Sequence, residues 1–376
     1  MTVTEYIFSN PKHISEGNMT KIRSEIICED CLYEAACKIG YGEDMLLGCG
    51  EEKSGGRNKS SILFLASIVF YGVLNNMPSD FFETKAIEMT KKPGNRLSKE
   101  EWVKKLEKEY GKDPNLVRGY CTWMKRAATL DFGESWHWNV DVMDKFKEVI
   151  GNSFFLALAA FILQILIAIP LGILAARKQY SKTDYAVTVF ALVGISIPGF
   201  FFATLLKYVL SVKLNWLDLY GAVGRYHDQL DFWGQIGDTL LHYLMPILTL
   251  TVTGIGSLMR YTRTNMLEVL NSDYIRTARA KGLPEKTVIN KHAFRNTLIP
   301  LVTILGGSIP GLFGGAMITE TIFQIPGIGY TSYQSIIKGD IPFAMFYLMF
   351  SAILILLSTF ITDILYAVVD PRVRVQ

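Results

Sequence analysis

The chain has 376 residues, of which half are hydrophobic, 12% aromatic and 19% charged. Soluble domains carry about a quarter charged residues, and here the apolar residues are gathered in long runs separated by densely charged stretches, which excludes an ordinary soluble architecture. The net charge of +3 is a small difference between 38 basic and 35 acidic residues, so charge gives no argument for nucleic acid as a partner.

In chain order, residues 1–59 form a polar extension with no apolar signal-peptide core between Met1 and Asn58, and it closes on the flexible, basic stretch Ser-Gly-Gly-Arg-Asn-Lys-Ser. It contains Cys28, Cys31, Cys37 and Cys49 in the order C-x2-C-x5-C-x11-C. Four thiolates in a reducing compartment suit tetrahedral zinc or an iron–sulfur cluster, and the spacing does not choose between them or exclude unligated thiols. Cys121, alone further along, is expected to be an ordinary packed residue.

A bilayer-crossing helix needs about 20 mainly apolar residues. Six segments qualify as spans: Ser60 to Met77, Ser153 to Ala176, Tyr185 to Leu210, Leu240 to Leu258, Leu298 to Ile322 and Phe343 to Val369. The first is short in its apolar run, Ile62 to Leu74, which suits a buried or interfacial helix as well as a span. The predicted fold is therefore an all-α integral membrane protein with six transmembrane helices and an extracytoplasmic segment, 78–150, after the first of them. Residues 151–376 form the core with the other five. Pro170, Pro198, Pro246 and Pro310 are expected to kink or interrupt spans, and Gly306, Gly307, Gly311, Gly314 and Gly315 to permit close packing or hinging.

Orientation follows from lysine and arginine in short loops. Between Arg260 and Arg295 lie eight basic residues against Glu268, Asp273 and Glu285, whereas Ser211 to Thr239 carries Asp218, Asp228, Asp231 and Asp238. The former is expected in the cytoplasm and the latter outside, which puts both termini of a multi-pass cell-membrane protein in the cytoplasm. Glu320 and Asp363 are acids near helix ends, candidates for function by default, although contacts to backbone or to a partner subunit account for them as well.

Within the basic loop, 259–297, Ser272 or Asp273 can start a helix and Gly282 followed by Pro284 stops it. Ala278 and Ala280 permit close approach of another surface; Arg276, Arg279 and Lys281 give positive charge. Lys286 to Arg295 reads as a second, amphipathic basic helix leading into the next span at Pro300. On physical grounds alone, the loop serves equally well as a topology signal.

The run Thr277-Ala278-Arg279-Ala280-Lys281-Gly282, then His292-Ala293-Phe294-Arg295-Asn296-Thr297-Leu298-Ile299-Pro300, resembles the coupling loop of importer-type ABC transporter permeases. In particular it is similar to the first, "B"-type, permease subunit of oligopeptide, dipeptide and nickel importers. Gly314 to Phe323, the turn Pro326-Gly327-Ile328-Gly329, the ending Asp363 to Arg372, and upstream Asp131-Phe132-Gly133-Glu134-Ser135 extend the likeness from about Gly119 to the C-terminus. The extension of about sixty residues and Met77-Pro78-Ser79-Asp80 depart from the family's usual beginning.

The resemblance implies a type I importer permease fold and a non-catalytic subunit that forms the translocation path for peptides, with nickel or another small solute as the nearest alternative. It implies a second permease, two ATP-binding subunits, an extracytoplasmic solute-binding protein and membrane lipid as partners. Tyr274, Arg276, Thr277, Ala278, Arg279, Ala280, Lys281, Gly282, Leu283 and His292 are the residues it assigns to coupling with the ATPases. No cofactor is required for transport, and ATP belongs to the partner subunits. The sequence lacks a G-x-x-x-x-G-K-[ST] phosphate loop, since the stretch Gly50 to Lys59 has no glycine directly before its lysine. A self-sufficient secondary transporter or channel predicts inverted repeats and central charge pairs, and a metal- or redox-sensing receptor leaves the basic loop unexplained.

Overall fold

The computed structural model describes residues 56–76, 81–91, 97–110 and 115–369. The chain divides into two compact units, one ending at Phe70 and the other running from Tyr71 onward. The boundary falls inside the first helix, α1 (Gly56–Asn75), whose apolar part is Ile62–Asn75. At 14 residues this is short for a bilayer crossing. Cys28, Cys31, Cys37, Cys49, the stretch Met77 to Asp80, and Asp370 to Arg372 lie outside the described residues, as does the Asp363 side chain.

Three helices form the segment predicted to lie outside: α2 (Phe81–Thr90), α3 (Lys99–Glu109) and α4 (Leu116–Ala127). Ser98 and Glu101 make a reciprocal capping box at the start of α3, and the Asn115 carboxamide accepts from the Val117 and Arg118 amides to start α4. Phe81, Phe82, Ala86, Leu106 and Trp136 form a small core, with the Lys85 ammonium over the Phe81 and Tyr110 rings. Cys121 corrects the expectation of a packed residue: it is exposed. The buried position on α4 is Gly119, and two residues along a helix turn the side chain by about 200° to the opposite face.

The core begins with α5 (Val142–Arg177), capped by Asp141, followed by α6 (Lys182–Ser196), α7 (Gly199–Leu206) and a π-helical continuation Lys207–Lys213. Then come α8 (Phe232–Leu270), α9 (Asp273–Ala280), α10 (Phe294–Gly307), α11 (Ile309–Gly314), α12 (Met317–Phe323), α13 (Ile328–Ile337) and α14 (Ile341–Val369). Among the described residues no strand occurs, only one isolated antiparallel bridge between Glu134 and Asp141.

The helices α5, α8 and α14 are long and apolar enough to cross a membrane as single rods. Two other predicted spans are broken. α6 and the α7 segment meet at 96°, because Pro198 lacks an amide hydrogen and forces Ile197 out of helical geometry, to φ −84° and ψ 120°. Pro170 and Pro246 sit inside continuous helices instead, and Pro310 lies in the first turn of α11, where the missing donor costs nothing. The span predicted from Leu298 to Ile322 is divided among α10, α11 and α12, with Gly315 at φ +81° between the last two. Of the glycines expected to allow close packing, Gly306 and Gly315 do so, since a Cβ there would overlap Thr362 on α14 or the Gly329 backbone on α13, whereas Gly307, Gly311 and Gly314 face open space. α8 passes the predicted end at Leu258 and continues to Leu270.

Two buried carboxylates join these pieces. Glu320 Oε1 accepts from Ser153 on α5 at 2.8 Å and from the Ala316 amide at 2.9 Å, while Oε2 accepts from the Tyr330 amide at 2.8 Å. This realises the structural alternative for Glu320. Asp340, at the start of α14, accepts from Ser135 Oγ and from the amides of Trp136 at 3.1 Å and His137 at 3.3 Å, holding the outer segment to the core.

Burial pushes the Asp340 carboxyl above the usual carboxylate range, against the opposing effect of those hydrogen bonds. A folded-state value above the unfolded one stabilises below the ordinary carboxylate pKa, and the contribution is lost as pH rises through the raised value. Hydrogen exchange of residues 131–141 should therefore quicken as pH rises across that interval, after correction for intrinsic exchange, and Asp340→Asn should remove the dependence. Asp340→Ala should leave the Trp136 and His137 amides unpaired, at about 1–3 kcal/mol for each buried group, and expose the 129–141 segment to protease.

Candidate coupling surface

The site predicted in the basic loop is a short helix seated between two long ones. α8 ends at Leu270, and the Ser272 hydroxyl donates to the Val269 carbonyl at 2.6 Å. Ser272 occupies the cap position of α9 but makes no side-chain cap bond there; its hydroxyl satisfies one of the orphan carbonyls at the end of α8. The chain thereby turns at once into α9.

α9 is amphipathic at its small scale. Ile275 and Ala278, three residues apart and so on one face, are buried against Met266 and Leu270 of α8, Ala176 at the end of α5, and Val288, Ile289 and Ala293 beyond the turn. Ala278 therefore faces its own chain, where the helical period places it with Ile275. Tyr274, Arg276, Thr277, Arg279, Ala280, Lys281, Gly282 and Leu283 are exposed, and His292 is half-buried. Complete burial of one isoleucine side chain stabilises by about 1.5–3 kcal/mol, enough to hold two helical turns that would not persist in isolation.

The turn after α9 is closed by backbone and charge together. Gly282 adopts φ +74°, and its amide donates to the Arg279 carbonyl at 2.9 Å while the Lys281 amide donates to Thr277 at 3.0 Å. No atom lies within 4 Å of where a Gly282 Cβ would stand, so glycine is required here by backbone conformation alone. The Arg279 guanidinium spans the turn to both Glu285 oxygens, at 2.9 and 3.3 Å. Asn296 Nδ2 donates to the Tyr274 hydroxyl at 2.9 Å, tying α9 to α10.

Beyond Pro284, Glu285–Thr287 and the π-helical Val288–Ala293 lead into α10. Val288, Ile289 and Ala293 point inward, and Lys286, Lys291 and Arg295 outward, as expected for a basic amphipathic helix. Arg263, one turn above this region on α8, grips Asp184 at the start of α6 through two bonds of 2.6 and 2.8 Å. That pair, with Asp184 buried and Arg263 half-buried, fixes α6 to α8, and it is not legible in sequence because 79 residues separate the partners. The result is a rigid platform with one basic helix and turn exposed.

The proposed metal ligands are not in view: Cys28, Cys31, Cys37 and Cys49 lie outside the described residues. Among the described residues no group of three or more His, Cys, Asp or Glu side chains is arranged to hold a metal ion.

Residues 168–375 match the family model described as "Binding-protein-dependent transport system inner membrane component". The oligopeptide transport system permease protein AppB of Bacillus subtilis is 37% identical over 314 residues, covering 83% of this chain and 95% of its own length. The dipeptide transport system permease protein DppB of Alkalihalophilus pseudofirmus is 35% identical, over 72% of this chain and 85% of its own. Among solved structures, an inward-facing MetNI methionine ABC transporter aligns at a TM-score of 0.47 and 16% identity, over 61% of this chain and 97% of its own.

Because the cost at Gly282 is conformational, Gly282→Ala should destabilise α9 by about 1 kcal/mol, and Gly282→Asn by less, since asparagine tolerates a left-handed backbone. Amide exchange of Thr277 to Lys281 should accelerate in that order, with exchange in α8 unchanged.

Proposed function

The chain belongs to the family of binding-protein-dependent transport system inner membrane components, and on that premise we propose that it forms part of a translocation path for peptides in an ATP-driven importer. The observation that carries the reading is α9: a two-turn helix whose apolar face is seated on its own chain while its basic face stands exposed. The named relatives are an oligopeptide and a dipeptide transport system permease, which supports peptides as the cargo.

In this reading the exposed residues Tyr274, Arg276, Thr277, Arg279, Ala280, Lys281, Gly282 and Leu283 enter a groove on a separate ATP-binding subunit, steered by the basic charge. Ile275 and Ala278 transmit its movement inward, because they pack on the ends of α5 and α8. A displacement of the ATPases then shifts two long helices together through a rigid contact. A second permease completes the path, and an extracytoplasmic binding protein delivers the peptide.

Replacing Gly282 with valine, which adds β-branching to the strained backbone, should abolish peptide-stimulated ATP hydrolysis and uptake by the assembled complex while membrane insertion continues. Normal stimulated hydrolysis in that variant overturns the coupling role.

The reading also includes six spans with both termini in the cytoplasm. It rests on the charge of the short loops, with α1, α5, the α6–α7 pair, α8, the α10–α11 pair and α14 as the spans. An impermeant thiol reagent should label cysteines introduced between Ser211 and Thr239 from outside, and fail between Lys286 and Arg295. Labelling of Asn58 and Ser79 positions from the same side would show that α1 does not cross.

For the N-terminal extension, the spacing of Cys28, Cys31, Cys37 and Cys49 supports a single structural or regulatory metal centre. Elemental analysis of the anaerobically purified complex should find one zinc, or iron with sulfide. Absence of both, with normal assembly of a four-serine variant, overturns it.

A further inference from the structure

α8 has two sides. Gly256, Met259, Thr262 and Met266 are buried against the chain's own helices, whereas Ser257, Arg260, Thr264 and Glu268 follow at spacings of three and four on the other side and are exposed. That side borders a groove of about 380 Å3, walled by α5 at Gln164 and by Ile304 and Ser308 at the end of α10.

The groove lies at membrane depth. Ala176, the last residue of the apolar run on α5, packs in one cluster with Met266. Arg260 comes six residues before Met266, about 9 Å inside that level. Gln164 comes twelve residues before Ala176, about 18 Å inside and near the middle of the bilayer. Its Nε2 donates to the Gly254 carbonyl at 2.9 Å, which fixes the same depth on α8. A polar stripe at this depth is costly against lipid, so it faces away from lipid, on a side where a water-filled path can form.

The donors in the groove are selective. The Ser257 and Thr264 hydroxyls donate to the Gly254 and Arg260 carbonyls, at 3.1 and 3.0 Å. The Asn265 Nδ2 is buried without a hydrogen-bond partner, and such a donor is unfavourable until an acceptor arrives. Arg263, the next arginine on α8, is held by Asp184, but Arg260 has no carboxylate partner among the described residues.

We propose that Arg260, with the Asn265 amide lining the same groove, receives the carboxylate of the peptide during translocation. The inference rests on the peptide reading above. A guanidinium binds a carboxylate through two parallel hydrogen bonds, and the C-terminal carboxylate is a feature that every unmodified peptide shares whatever its sequence. A station for it therefore accepts many peptides with one contact.

The test uses the complete importer in proteoliposomes, at saturating binding protein, with trialanine and trialanine amide as cargoes. The wild type should transport the free acid about tenfold faster than the amide, the scale of one lost charge-assisted pair. Arg260→Gln should remove that preference by slowing the acid alone, and Arg260→Lys should restore part of it. Asn265→Leu should slow the acid more than the amide. Because each comparison is a ratio within one variant, a change in the amount of assembled complex does not affect it. Retained preference in Arg260→Gln, or no preference in the wild type, overturns the proposal while leaving peptide transport intact. Equal slowing of both cargoes, varying with the anionic lipid content of the vesicles, assigns Arg260 to lipid headgroups and overturns it too. A wild-type complex that transports neither peptide overturns the peptide reading itself.

Discussion

The carboxylate of Glu320 is the constraint on which the irregular half of the core depends. α12 is only seven residues long, Gly315 breaks the backbone before it, and Gln324 adopts a left-handed conformation after it. No ladder of helical hydrogen bonds could hold such a segment in place. Glu320 does so by accepting from Ser153 on α5, from Ala316 before its own helix and from Tyr330 on α13. A Cβ on Gly327 would stand within 2.5 Å of the carboxylate, so the turn must approach this closely for the donors to reach it. Ser153 completes the knot, for its oxygen also accepts from the Ile328 amide at 2.7 Å. Burying an acid is costly unless its lone pairs are met, and here the two oxygens are met by donors from three elements.

Asp340 performs the same task for the outer segment. Its partners, Ser135, Trp136 and His137, lie about two hundred residues earlier in the chain, and the Trp138 indole adds a bond to Ser335 at 3.1 Å. Side-chain acceptors thus stand where secondary structure supplies no bonding, and each joins a short irregular stretch to a long helix. The long helices can then be regular because the irregularity is confined and pinned.

At the opposite end the core solves a different problem, presenting a small helix rigidly. Ile275 and Ala278 contribute the contact, Arg279 and Glu285 close the turn, and Tyr274 reaches Asn296. Between the two ends α8 carries a polar stripe that the chain's own packing leaves uncovered. Its buried side, through Gly172 of α5 against Met259 and Thr262, is packed too closely to admit even a methyl group. The other side is the one that the chain's own packing leaves exposed.

The sequence by itself determined the membrane class, the all-α character, the short helix with its glycine stop, and the amphipathic basic run after it. Those features are local: a run of apolar residues, a left-handed turn at Gly282, or the three-residue spacing of Ile275 and Ala278 is set within a few residues of chain. Tertiary structure decided the rest. Pro198 breaks its span by 96° while Pro170 and Pro246 leave theirs whole, although each proline removes one amide donor and crowds the residue before it, so the residue type alone does not tell a break from a continuous helix. Ala278 turned inward, Cys121 outward, and α8 ran past Leu258 because each outcome depends on which surface is packed against it. The distant partners of Glu320, Asp340 and Arg263 lie 167, 205 and 79 residues away, and a side chain's charge and size are visible in sequence where its distant partner is not.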